Sequence, residues 1–236
     1  MNFDVLFAVR EELEQNADEQ VKQSARRFFK DEALFLGVRT SVATKIAKKY
    51  FKVIRAENKQ DIFALCENLL QSDYGEEAFI AFLWAYFIRE RYQPEDFFVF
   101  QRWISQYVNN WAKCDTLCNH AVGSFIEEYP SFIENLKDWA RSENRWLRRA
   151  SAVTLILPAR RGRFLEEVFQ ISDILLKDEE DLVQKGYGWM LKEASRAHQA
   201  EVFEYVMRNK KDMPRTALRY AIEKMPADMR KKAMAR

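Results

Sequence analysis

The sequence predicts an all-α fold, a solenoid of HEAT-like helical repeats with a concave basic face, and three observations carry that expectation. Apolar residues recur at three- and four-residue spacing in nearly every segment, as in FAVREELEQ, IFALCENLL, FIAFLWAYFI and FLEEVFQISDILL. Period-two alternation over strand length is scarce, and no Asn-Gly or Asp-Gly hairpin signal occurs. The helical stretches fall into consecutive pairs with a repeat on the order of 35 to 40 residues, the range of units that stack so that each buries its neighbour's apolar side. An irregular helical bundle is the alternative.

Helix starts are expected where capping residues stand. Thr40–Ser41 precede VATKIAKKYF, Ser72–Asp73 precede YGEEAFIAFL, Pro130–Ser131 precede FIENLKDWA, and Asn144 precedes RWLRRASAVTLIL, which is expected to stop at Pro158. The ending PADMRKKAMAR reads as a last short helix with a frayed basic end. No interior linker is apparent, so residues 1–236 are expected to form one domain.

Composition narrows the function classes. A chain of 236 residues, 48% hydrophobic and 31% charged, buries a sizeable core, and six Gly with five Pro leave little room for long coil. No apolar run is long enough to span a bilayer, and MNFDVLFAVREELEQ is charged too early for a signal peptide. Three cysteines (Cys66, Cys114, Cys118) without framework spacing fit a reducing compartment, so a cytoplasmic protein that does not bind membrane is expected.

The net charge of +2 hides an asymmetry. Arg141, Arg145, Arg148, Arg149, Arg160, Arg161 and Arg163 face a single acid, Glu143, within their own stretch. From Tyr205 onward ten Lys or Arg face Asp212, Glu223 and Asp228, whereas the intervening DEEDLVQ is acidic. Local basic patches of this kind suit a polyanion, and a solvated helix face is the plain alternative.

Several chemistries find no support. Cys114 and Cys118 share a helix face, but His120 points elsewhere, and neither Cys-x-x-Cys nor His-Glu-x-x-His occurs, so no metal site is expected. No Cys–His nucleophile pair stands out, and the only Gly-rich motif, Gly186–Tyr187–Gly188, falls inside a helical stretch rather than a phosphate loop. No cofactor is implied.

What remains is a set of four side chains. Trp111 and Asp115 lie one turn apart on one helix face after the polar pair Asn109–Asn110. Arg149 follows Asp115 by 34 positions and Trp189 follows Arg149 by 40, one contribution per repeat. Two π faces, a carboxylate and a guanidinium suit a partner that is cationic in one part and rich in phosphate in another. Taken singly, a Trp is usually core and an Asp–Arg pair usually a structural ion pair.

These residues carry a resemblance to the AlkD family of bacterial DNA glycosylases. Four motifs match in order: Lys30 followed by LFLGVRT (Leu34 to Thr40), Trp111-x-x-x-Asp115 in NNWAKCDTLCNHAVG, Trp146–Leu147–Arg148–Arg149–Ala150, and Lys185 to Glu193 centred on Trp189. The similarity runs from about Arg26 to Met225. It implies a HEAT-like enzyme that excises alkylated purines from double-stranded DNA, acting as a monomer, with Trp111, Asp115, Arg149 and Trp189 at the family's catalytic positions. An aromatic position that is usually Tyr falls on Phe28, which keeps the ring without the hydroxyl. Ser41 replaces a frequent Pro, and Ala112–Lys113 replace a more polar or acidic pair.

The implied chemistry is consistent with those residue types. Alkylation at purine N3 or N7 makes the base a cationic leaving group, so the demand is to stabilise an oxocarbenium-like sugar and to activate water, which suits Asp115. Trp111 and Trp189 suit cation–π and stacking contacts, and Arg149 a flanking phosphate. Arg39, Thr40, Lys45, Arg145, Arg148, Lys185, Lys192, Arg215 and Arg219 are candidates for tracking the DNA backbone. A non-catalytic DNA binder on the same scaffold and a protein–protein scaffold are the competing readings.

Overall fold

Sixteen α-helices and no strand occur among the residues that the computed structural model describes, 4–29 and 33–235. Lys30 of the first motif lies outside the described residues. The chain divides into two units, Met1–Ala121 and Val122–Arg236, and the boundary falls in a π-helical turn, Cys118–Val122.

The first unit contains α1 (Asp4–Gln15), α2 (Glu19–Arg26), α3 (Thr40–Ile54), α4 (Lys59–Leu70), α5 (Gly75–Phe87), α6 (Asp96–Tyr107) and α7 (Trp111–Leu117). Helix α3 packs on α5, and α5 on α7. The indole of Trp84 in α5 is fully buried and donates to the Ala47 carbonyl of α3 at 2.9 Å, satisfying a polar atom that burial would otherwise penalise. Leu13, Ile46, Ile62, Phe82, Phe97, Phe100 and Trp103 of the same unit are likewise buried, on the apolar faces that the helical periodicity marks.

The second unit contains α8 (Gly123–Glu128), α9 (Ile133–Ala140), α10 (Arg145–Val153), α11 (Ile156–Arg160), α12 (Leu165–Ile174), α13 (Asp181–Ala194), α14 (Gln199–Asn209), α15 (Arg215–Ala221) and α16 (Ala227–Met234). Here α10 packs on α13, and α13 on α15. The second helices of successive pairs thus lie side by side within each unit, the arrangement of an α-helical repeat.

Local details depart from the sequence reading in four places. Thr40 and Ser41 do not precede a helix but open α3, and the N-cap is Arg39, whose side chain makes no cap bond. Asp73 adopts a left-handed conformation (φ 64°), so α5 starts later, with Tyr74 as N-cap. Pro130–Ser131 begin a short 3₁₀ turn, Pro130–Phe132, that leads into α9. Pro158 does not end α10: that helix stops at Val153, and Pro158 is the third residue of α11, in the first turn where a missing N–H breaks no helical bond. Asn144 caps α10 as expected, accepting from the Trp146 N–H at 2.8 Å.

Candidate active site

Helix α7 is positioned by its start. Asn110 caps it, its side-chain oxygen accepting from the Lys113 N–H at 3.0 Å. Lys113 is buried, with its ammonium on the Asp73 carboxylate and, at 3.0 Å, on the Asp73 carbonyl. Asn109 also donates to Asp73, at 2.9 and 3.0 Å to its two carboxylate oxygens. The departure at Lys113 therefore serves the fold, holding the entry to α7 against the end of the α4–α5 connection.

Trp111 and Asp115 are both part-exposed on α7. The Trp111 indole stacks on Phe29 (centroids 5.2 Å apart, planes 10° from parallel), and Phe29 in turn meets Phe35 at 5.0 Å. The indole N–H donates to the Phe28 carbonyl at 3.4 Å. Phe28 itself is 74% exposed, so its ring is available while its backbone holds Trp111. Sequence reasoning marks Phe28 and passes over Phe29; their adjacency to the Phe35–Gly37 motif is the signal that points to both.

That motif is locked from below. Glu76, only 7% exposed, accepts from the backbone N–H groups of Leu36, Gly37 and Val38 at 3.1, 2.9 and 3.0 Å. Gly37 has φ +100°, and a Cβ there would lie 2.3 Å from the Asp18 carbonyl oxygen, so only glycine fits. A side chain at Gly75 would strike the Phe35 ring at 2.5 Å. Arg39 and Thr40 are exposed at the start of α3 and line a cleft of about 300 Å³ together with Phe79, Phe82, Ala112 and Thr116. Lys45 is exposed one turn further along α3.

In the second unit Arg149 is 5% exposed and donates through Nη1 to the Leu182 carbonyl at the start of α13. Gly186 lies against it: a Cβ there would meet Arg149 Cγ at 3.4 Å, an ordinary van der Waals contact. Gly188 permits closer approach still, since a Cβ would come within 2.7 Å of Tyr220 Cβ and 2.8 Å of the Ala217 oxygen on α15. Of the two glycines of the Lys185–Glu193 motif, Gly188 is thus the one that close packing against α15 requires, and Trp189 follows it, part-exposed on α13. Lys192 lies 6.0 Å from the Trp189 ring and donates to Glu223 at 3.1 Å, which holds the Glu223 carboxyl below its ordinary range.

The arginine-rich stretch is largely neutralised within its own unit. Arg148 Nε meets Asp178 at 2.6 Å, Arg145 meets Glu180 at 3.7 Å, Arg160 meets Glu193 at 3.7 Å, and Arg161 and Arg163 share Glu127 at 2.5 and 3.0 Å. The acidic DEEDLVQ segment supplies two of these partners, and Lys185 pairs with Asp181 at 2.7 Å. Arg215 and Arg219 are exposed on α15 and form no ion pair among the described residues.

Residues 9–225 match the family described as DNA alkylation repair enzyme. Among solved structures, a "predicted DNA alkylation repair enzyme" from Enterococcus faecalis is similar at 17% identity, with a TM-score of 0.79 over 90% of this chain and 98% of that one. That likeness shows a shared fold. No curated protein matches.

Proposed function

Since the chain belongs to the DNA alkylation repair enzyme family, we propose that it is a DNA glycosylase releasing cationic N3- or N7-alkylated purines from double-stranded DNA. The observation that supports this best is the pairing of Trp111 and Asp115 one turn apart on α7, with the indole held at one face by Phe29. Whatever stacks on Trp111 meets the opposite face, at a fixed orientation, with a carboxylate one helical turn away.

In this reading the glycosidic bond breaks with its electron pair going to the base, which leaves neutral because the alkyl-derived charge is cancelled. Positive charge passes to the deoxyribose. Asp115 stabilises it and accepts a proton from the water that adds to C1′. Cation–π contact with Trp111 and Trp189 favours a charged lesion over a normal base by about 1–2 kcal/mol per ring when water is excluded. Arg149 has little exposed surface, so its part in this scheme is to set α10 against α13 and to offer positive charge to a flanking phosphate. The scheme takes residues 1–236 as one working domain, monomeric and cytoplasmic, and it needs no cofactor.

The test is single-turnover release of 7-methylguanine from duplex DNA by wild type and Asp115→Asn. The expected loss in the variant is about 10²- to 10⁴-fold with duplex binding retained. Wild type that binds duplex yet releases no base would make this a non-catalytic binder.

A further inference from the structure

A row of cations without ion pairs among the described residues lies along α3, outside the arginine-rich stretch. Lys45, Lys48, Lys52 and Arg55 recur at intervals of three and four residues, and all four are exposed. Lys45, Lys48 and Lys52 occupy the side of α3 opposite Ala43, Ile46, Ala47 and Ile54, which are buried, and Arg55, the C-cap residue, continues the row. None forms an ion pair among the described residues, whereas Lys49, off this row, is taken by Glu12 at 2.5 Å. The contrast is with Arg145, Arg148, Arg160, Arg161 and Arg163, each of which already holds a carboxylate.

The end of the row is also electrostatically prepared. The carbonyls that close α3 carry the negative end of its dipole. Arg91 donates just beyond them, to the carbonyl of the C-cap residue Arg55 at 2.7 Å and to that of Glu57 in the following turn at 2.9 Å, so a guanidinium offsets the negative end of the helix beside the row.

Resting on the reading of this protein as a duplex-DNA enzyme, we infer that the Lys45–Lys48–Lys52–Arg55 row is a phosphate-backbone docking surface. It would grip DNA outside the position of the lesion. Ten residues of helix rise about 15 Å. Successive phosphates of one strand advance about 3.4 Å along a duplex axis, so a row of this length facing along the axis meets about four of them. In this role the row contacts phosphate oxygens, which fix position on the duplex and carry no sequence information. Its contribution is affinity without sequence preference.

The experiment is the salt dependence of binding to an undamaged duplex, for wild type and for Lys45→Gln/Lys48→Gln/Lys52→Gln/Arg55→Gln. A Lys45→Arg/Lys48→Arg/Lys52→Arg variant keeps the charge and controls for altered folding. Each phosphate contact adds about 0.9 to the slope of log affinity against log salt, so the glutamine variant is expected to lose up to about 3.6 from that slope and the arginine variant nothing. A glutamine variant with the wild-type slope overturns the inference, as does an equal loss in the arginine variant. Release of 7-methylguanine by wild type, measured in parallel, separates the two readings. Release with an unaltered slope in the glutamine variant sinks only the docking surface. No release with a slope that depends on the row sinks only the glycosylase.

Discussion

Phe29 lies flat against Trp111, 5.2 Å between ring centroids and 10° from parallel, and the carbonyl of the preceding residue receives the indole N–H. A tryptophan expected to contact substrate is therefore held by a loop residue more than eighty positions earlier in the chain. Phe29 leans on Phe35, and Phe35 covers Gly75, so the orientation of Trp111 depends on a column of rings that ends at a glycine.

Removing the stack should loosen Trp111 without unfolding the protein. Aromatic pairs of this geometry contribute about 0.5–1.5 kcal/mol beyond area burial. Phe29→Leu is expected to lower single-turnover release of 7-methylguanine by about 2- to 10-fold, and Phe29→Tyr to restore it. With 5-fluorotryptophan incorporated, the resonance of Trp111, assigned from a Trp111→Phe variant, should shift in Phe29→Leu as the ring current is lost. An unmoved resonance would rule the clamp out.

Glu76 holds the same region from beneath through three backbone N–H groups. Hydrogen bonds to a charged group are typically worth about 1.5–3 kcal/mol. Glu76→Gln keeps the shape but loses the charge and one acceptor, and is expected to cost about that much in urea unfolding. Leu34 to Arg39 should then exchange amide hydrogen faster than α5, which hydrogen-exchange mass spectrometry reads directly.

The two glycines of α13 should respond with opposite signs. At Gly186 an added methyl meets Arg149 Cγ at 3.4 Å, an ordinary contact, so Gly186→Ala should stabilise by about 0.5–1 kcal/mol through helix propensity. At Gly188 it lands 2.7 Å from Tyr220 Cβ and 2.8 Å from a backbone oxygen of α15, so Gly188→Ala should cost about 1–3 kcal/mol. Denaturant midpoints with unchanged m-values would confirm both, and equal signs would refute the packing argument.

The Lys192–Glu223 pair makes a pH prediction. Glu223 is held below its ordinary value of 4.5 chiefly by the hydrogen bond from Lys192. A carboxyl depressed in the folded state stabilises fully above its unfolded value, and that stability is lost as pH falls through the folded one. Lys192→Met should therefore be less stable than wild type at pH 7, and the gap should close below about pH 4. Glu223 is about half exposed, so the gap is expected to be small and to shrink in salt. A gap constant down to pH 2 would assign Lys192 a packing role on Trp189 and Tyr220 instead.

Much of this protein is legible in the chain itself. Helical periodicity is a local property, so the all-α class, the pairing of helices and the cap at Asn144 follow from residues within a turn or two of each other. The family motifs are equally local, and Trp111, Asp115, Arg149 and Trp189 stand out because each sits in a short run of distinctive residues. Charge is different. Arg148 and Asp178 are 30 residues apart, and Arg161 and Glu127 are 34 apart, so a count within the arginine-rich stretch sees seven cations and one acid where the fold has already neutralised most of them. The same distance hides Phe29 behind Trp111 and Glu76 beneath Gly37. Local sequence determined which helices form and which faces they bury. Only tertiary packing decided which cations stay free and which aromatic ring is clamped, because ion pairs and stacks are made between elements that the chain brings together from far apart.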